Sequence, residues 1–140
     1  QEEMLRILLK RFIILCTRIA REKFSVSPER EKAFDMVRQF YVLVDNHFKE
    51  KKMVQDYADM LHRSPKTLSN LFTTCGLPSP LRIIHERIEA EAKRLLLYSQ
   101  KSAKEITEIL GFEDQATFSR FFKKMTGESV SEYRKREKQE

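Results

Sequence analysis

The chain has 140 residues, which suits one domain or two very small ones. Charged residues make up 34%, the formal net charge is +6 and the pI is near 9.4, a balance that suits an anionic partner without singling one out. Only three Gly, no Trp and many Leu, Ile, Glu, Lys and Arg favour helices over sheets, and no apolar run is long enough to span a bilayer.

Residues 4–22, "MLRILLKRFIILCTRIARE", predict one helix. Leu5, Leu8, Phe12, Leu15 and Ile19 follow a 3-4 spacing, with Leu9, Ile13, Cys16 and Ala20 as a second stripe beside it. That face is too wide for a helix lying alone on a small domain. It calls for a second copy of itself or a domain outside these residues, and we expect residues 1–24 to mediate self-association as a homodimer. The chain opens at Gln1 with no Met, as a fragment of something longer would. Lys10, Arg11 and Arg18 argue against a membrane span, and no membrane partner is expected. Cys16 and Cys75 lack zinc-ligand spacing and are expected to be reduced core thiols of a cytosolic protein.

Ser27-Pro28 opens a second helix to about Phe48, with Phe34, Val37, Phe40, Tyr41, Val44 and Phe48 expected inward. Shorter helices follow. Met53–Leu61 is one, and Ser64-Pro65 starts another that reaches about Cys75 and stops at Gly76. Ser79-Pro80 opens a longer helix to about Tyr98. "SAKE" at 102–105 is a capping box, Asp114 caps the next helix, which Gly127 ends, and "SVSE" at 129–132 is a second box opening the last helix. No segment alternates with period 2, so the expected class is all-α.

Two regions repeat. Ala58 and Leu61 answer Thr107 and Leu110, and "LSNLF" at 68–72 answers "FSRFF" at 118–122. Each unit is a short helix, a tight turn and an amphipathic helix, the helix-turn-helix pattern. At helical spacing Leu68, Leu71, Phe72 and Cys75 share one side, as do Phe118, Phe121, Phe122 and Met125. The opposite side of the first helix offers Lys66 and Asn70, flanked by Thr67, Ser69 and Thr73. That of the second offers Ala116 and Arg120, flanked by Thr117, Ser119 and Lys123, with Gln115 at its start. These residue types read base edges, and no carboxylate crosses the middle of either face. The connecting helix would be about 28 Å long, against the roughly 34 Å between successive major grooves on one duplex face.

The stretch "ITEILGFEDQATFSRFFKKMTGESVSEYRK", together with "IIHERIEAEAKRLLLYS" and its Arg87, Ala92 and Leu95–Leu96, resembles the AraC/XylS-type bacterial transcription regulators over about residues 40–136. The resemblance implies two helix-turn-helix subdomains, 28–79 and 99–140, joined by a linker helix, 80–98, and preceded by an N-terminal amphipathic helix, 1–24, left from an effector or dimerisation domain or linking to one. It implies sequence-specific binding of double-stranded promoter DNA, usually as an activator, with RNA polymerase as a further partner. Base contacts would fall to Lys66, Ser69 and Asn70, and to Gln115, Ala116, Thr117 and Arg120. Phosphate contacts would fall to Ser64, Thr67, Thr73, Ser119, Lys123, Lys124, Tyr133 and Arg134. Val130 stands where the family usually has Pro, and Thr107 where it has Ala, which is expected to loosen packing slightly. No cofactor, metal or enzymatic activity is expected: His47, His62 and His85 lack ligand spacing, and no phosphate loop or nucleophile motif is present. The alternative is a helical protein–protein module docking RNA polymerase or another regulator.

Overall fold

A computed structural model describes the backbone of residues 2–23 and 27–138, and the side chains of 8–20 and 27–138. Among these residues there are eight helices and no strand: α1 (Glu2–Lys23), α2 (Pro28–His47), α3 (Val54–Met60), α4 (Pro65–Thr74), α5 (Pro80–Tyr98), α6 (Ala103–Ile109), α7 (Gln115–Thr126) and α8 (Val130–Glu137). The chain divides into two units, Gln1–Asp35 and Met36–Glu140, the second beginning within α2.

In the first unit every described side chain of α1 is exposed, Leu8, Phe12, Leu15 and Ile19 among them. The side chain of Leu5 lies outside the described residues. Cys16 is on this exposed helix, so it is not a core thiol, and Cys75 is half-buried. Phe34, expected inward, is 45% exposed, because the buried stripe of α2 begins only at Val37.

The second unit holds the core. Val37, Phe40, Val44 and Phe48 bury the inner stripe of α2 and its exit. Phe40 meets the Phe72 ring edge-on at 5.0 Å and the Tyr57 ring at 5.5 Å. Tyr41, expected inward, stays at the rim with 40% exposure, its ring 6.5 Å from that of Phe72. α5 buries Ile83, Ile84, Ile88, Ala92, Leu95 and Leu96 and packs against α3, α4, α6, α7 and α8. It is thus a shared strut rather than an exposed linker. Each fully buried Leu or Phe in this core contributes about 1.5–3 kcal/mol.

Polar groups fasten α5 further. The Arg87 guanidinium lies 4.2 Å over the Phe48 ring, and its Nε donates to Asp45 Oδ1 at 2.7 Å. Glu91, 8% exposed, accepts from Arg94 at 2.7 and 2.9 Å, and these bonds hold its carboxyl below the usual range. Thr107 is buried, and its hydroxyl donates to Ala103 O at 2.7 Å. The hydroxyl is therefore satisfied along its own helix, and Thr fits where Ala is usual without an orphan polar group.

The local signals act where the sequence placed them. Ser64, Ser79 and Asp114 accept from the backbone amides of Thr67, Arg82 and Thr117. Ser102 with Glu105, and Ser129 with Glu132, form reciprocal capping boxes. Gly76, Gly111 and Gly127 all adopt positive φ. His62 in the α3–α4 turn does the same at φ 53, a left-handed conformation that strains a residue with a β-carbon. Replacing His62 by Gly should therefore stabilise the protein by about 0.5–1 kcal/mol, the relief of strain exceeding the added freedom of the unfolded chain. Urea unfolding checks this; an unchanged or lower midpoint would show that the turn is not strained.

Candidate nucleic-acid interface

α3–turn–α4 and α6–turn–α7 form the two helix-turn-helix units. In each, the second helix buries one stripe: Leu68 and Phe72 on α4, Phe118 and Phe122 on α7, all with no exposed surface. Leu71, Cys75, Phe121 and Met125 flank these stripes half-buried. On α7 the packing is aromatic, Phe112 lying 5.3 Å from both Phe118 and Phe121, and Tyr133 5.5 Å from Phe122. Once those faces are committed, helical geometry sends the rest outward. Lys66, Ser69 and Asn70 on α4 are exposed, as are Gln115, Ala116 and Arg120 on α7, while Thr117 is half-buried.

Charge at the helix starts separates these two helices from most of their neighbours. α2, α3, α6 and α8 each carry an acidic residue in the first turn, which neutralises the positive end of the helix dipole. α4 and α7 carry none there, and α4 has Lys66 instead. A cation in that position is unfavourable within the fold and favourable beside a phosphate. Asp114 is the local exception at the cap of α7. The Thr117 amide and hydroxyl, with Arg120 as a smaller influence, hold its carboxyl below the usual range. Arg120 folds back toward it, donating from Nη2 to Thr117 Oγ1 at 3.3 Å.

The expected phosphate contacts divide. Ser64, Thr67, Thr73, Lys123 and Lys124 are exposed, and Ser119 is half-buried. Ser64 and Thr67 join hydroxyls at 2.8 Å, and Thr73 Oγ1 donates to Ser69 O at 2.9 Å. Tyr133 and Arg134 are used by the fold. Tyr133 is 6% exposed against Phe122, and burial raises its hydroxyl pKa. Arg134 donates to Leu96 O at 3.2 Å and Lys101 O at 2.7 Å, stapling α8 to the end of α5.

The structure adds residues that the repeat did not reveal. Arg120, Lys123, Gln115 and Ser119 line an open concavity of about 270 Å³ with Ala103 at the start of α6 and Ser129, Val130 and Ser131 at the start of α8. Two cationic side chains, Arg120 and Lys123, thus face one hollow, while the starts of α6 and α8 beside it are already closed by their capping boxes with Glu105 and Glu132. The capping boxes gave the helix starts from sequence; only the packing of α8 brings its start beside Arg120.

A family described as a helix-turn-helix domain matches residues 57–136, and its relatives are AraC-type regulators. The chain belongs to the AraC-type helix-turn-helix family. The arabinose operon regulatory protein of Salmonella typhimurium is 36% identical over 92 residues, which is 66% of this chain and 31% of that protein. The uncharacterized HTH-type transcriptional regulator YisR of Bacillus subtilis is 30% identical over 122 residues, 86% of this chain and 41% of that protein. The chain therefore spans less than half the length of these AraC-type relatives. Among solved structures, the C-terminal domain of AraT, a response regulator from Geobacillus stearothermophilus, aligns with a TM-score of 0.64 at 29% identity, covering 71% of this chain and 84% of that one. The DNA-binding domain of AdpA, solved in complex with a target DNA, has the same fold, with a TM-score of 0.58 at 23% identity, covering 73% of this chain and 88% of that one.

His85, on α5, meets the Phe121 ring edge-on at 5.3 Å beneath α7. Burial, and then the Lys124 ammonium, lower its pKa below the ordinary 6.5. The imidazole is therefore held neutral in the folded state, and its stabilising share is present above about pH 6.5 and lost as pH falls through the lowered value. Between about pH 7.5 and 5, the melting temperature should drop further for the native protein than for His85→Gln. Parallel drops would mean that His85 is not held neutral.

Proposed function

We propose that the protein binds promoter DNA by laying α4 and α7 in two adjacent major-groove segments, with α5 as the spacer between them. The observation that carries this is the pairing of two helix-turn-helix units whose outward faces are polar, exposed and free of acid in the first helical turn. On this reading Lys66, Ser69 and Asn70 meet bases from α4, and Gln115, Ala116, Thr117 and Arg120 do so from α7. Ser64, Thr67, Thr73 and Ser119 meet phosphates by hydrogen bonds, and Lys and Arg, Lys123 and Lys124 among them, neutralise phosphates and release counterions, supplying most of the affinity. Tyr133 and Arg134 act by holding α8 in place. The protein works on DNA in the cytoplasm, as a regulator and not an enzyme, and activation with RNA polymerase as a further partner belongs to the same reading. One relative is named a transcriptional activator, NphR, at 32% identity.

Replacing Arg120 by Ala should cost about 1–3 kcal/mol of binding and relax preference at one base position. Replacing Lys124 by Ala should weaken all duplexes alike and flatten the salt dependence by about one ion. Fluorescence anisotropy against a selected and a random duplex, over a salt series, measures both. An Arg120→Ala variant with unaltered preference and affinity would remove α7 from base recognition. Negligible binding of the native protein to any duplex would favour a protein-docking module.

The division into an N-terminal helix (1–24), two helix-turn-helix subdomains (28–79 and 99–140) and a linker helix (80–98) is part of this proposal. So is self-association through residues 1–24. Leu8, Phe12, Leu15 and Ile19, between 48% and 67% exposed, support it. Deleting residues 1–24 should convert a dimer to a monomer by light scattering. A monomeric mass both before and after deletion would end the idea.

A further inference from the structure

The two helix-turn-helix turns differ in what surrounds them. At His62 the side chain is exposed. At Gly111, φ +70, an added β-carbon would lie 1.9 Å from the carbonyl oxygen of Lys49, 3.0 Å from its carbonyl carbon and 3.1 Å from Lys52 Nζ. Gly76 and Gly127, with the same sign of φ, have open space in that direction. A positive φ explains all three glycines; only Gly111 also admits the backbone of the α2–α3 loop.

The loop that rests there is well held. Lys52 Nζ donates to Lys49 O at 2.6 Å and lies 5.1 Å from the centre of the Phe112 ring. Burial lowers the Lys52 pKa, in keeping with an ammonium partly withdrawn from water. The Tyr57 hydroxyl donates to Lys51 O at 2.7 Å, and burial pushes its pKa up to about 12, so it remains a donor. Phe48, 4% exposed, anchors the start of the loop beneath Arg87. The α2–α3 loop thus reaches from the α3–α4 side of the core onto the α6–α7 turn, making a joint separate from α5.

We propose that this seat, Lys49 and Lys52 on Gly111 and Phe112, fixes the distance and twist between α4 and α7 and so sets the half-site spacing that the protein accepts. The proposal rests on the two-groove reading given above. A single helix flexes, and units joined by α5 alone would engage successive grooves at a lower effective concentration. With a second joint, binding of one unit presents the other in register.

The test compares three duplexes drawn from a random-pool selection with the native chain: one with both half-sites and one with each half-site alone. The readout is the ratio of two-site to one-site affinity for native protein, Gly111→Ala and Lys52→Met, with folding followed by circular dichroism. Gly111→Ala must part the units by more than an ångström to reach ordinary contact. Measured against the duplex with the second half-site alone, so that strain in the α6–α7 turn weakens both of those duplexes alike and cancels, it should lower the ratio about tenfold and shift or broaden the preferred spacing. Lys52→Met keeps the stem, loses the ammonium and should lower the ratio about threefold; it decides the matter if Gly111→Ala does not fold. A native protein with no two-site advantage would defeat the two-groove reading itself. A native advantage that the folded variants retain in full would overturn the seat, as would one-site affinities that fall as far as the two-site one.

Discussion

Burial of the Leu68–Phe72 and Phe118–Phe122 stripes is the constraint from which the rest follows. Each recognition helix has one face apolar enough to leave water, and α5 is packed against both α4 and α7. Once those faces are down, Asn70 and Arg120 have only an outward direction available, because the 3.6-residue period offers no other. Function is therefore linked to stability through the same helices: a substitution that loosens Phe118 would also misdirect Arg120.

The polar side of the molecule reflects a compromise. A helix start is most stable with an acid in its first turn, and four of the helices follow that rule. α4 and α7 forgo it. On α4 the positive helix end and Lys66 mildly repel one another in the free protein and become favourable when an anion arrives, whereas on α7 Lys123 and Lys124 stand in the last turn, at the favourable end. Such local conflicts between stability and sequence are expected where a surface has been shaped for a ligand.

Local chemistry was legible in the sequence. The capping boxes at Ser102 and Ser129, the Ser-Pro helix starts and the Gly stops act between residues a few positions apart, and they stand where the pattern put them. The stripes of α4 and α7 were legible for the same reason. Periodicity reports which side is apolar, however, and not whether anything covers it. That is why Phe34 and Cys16 read as buried and are exposed, and why Tyr41 remains at the rim. Tyr133 and Arg134, expected at phosphate from the resemblance, are held in the fold by Phe122 and by the carbonyls of Leu96 and Lys101, and for Arg134 those partners are distant in sequence. The seat at Gly111 was hidden on the same ground. A glycine that ends a turn and one that also admits a remote carbonyl leave the same letter.

On the proposed reading α4 and α7 meet one flank of a duplex together. Hydroxyl-radical footprinting on a selected duplex tests it most directly. Two protected patches are expected on the same face, centred about 10 base pairs apart. A single patch, or two patches displaced by about half a helical turn onto opposite faces, would contradict it.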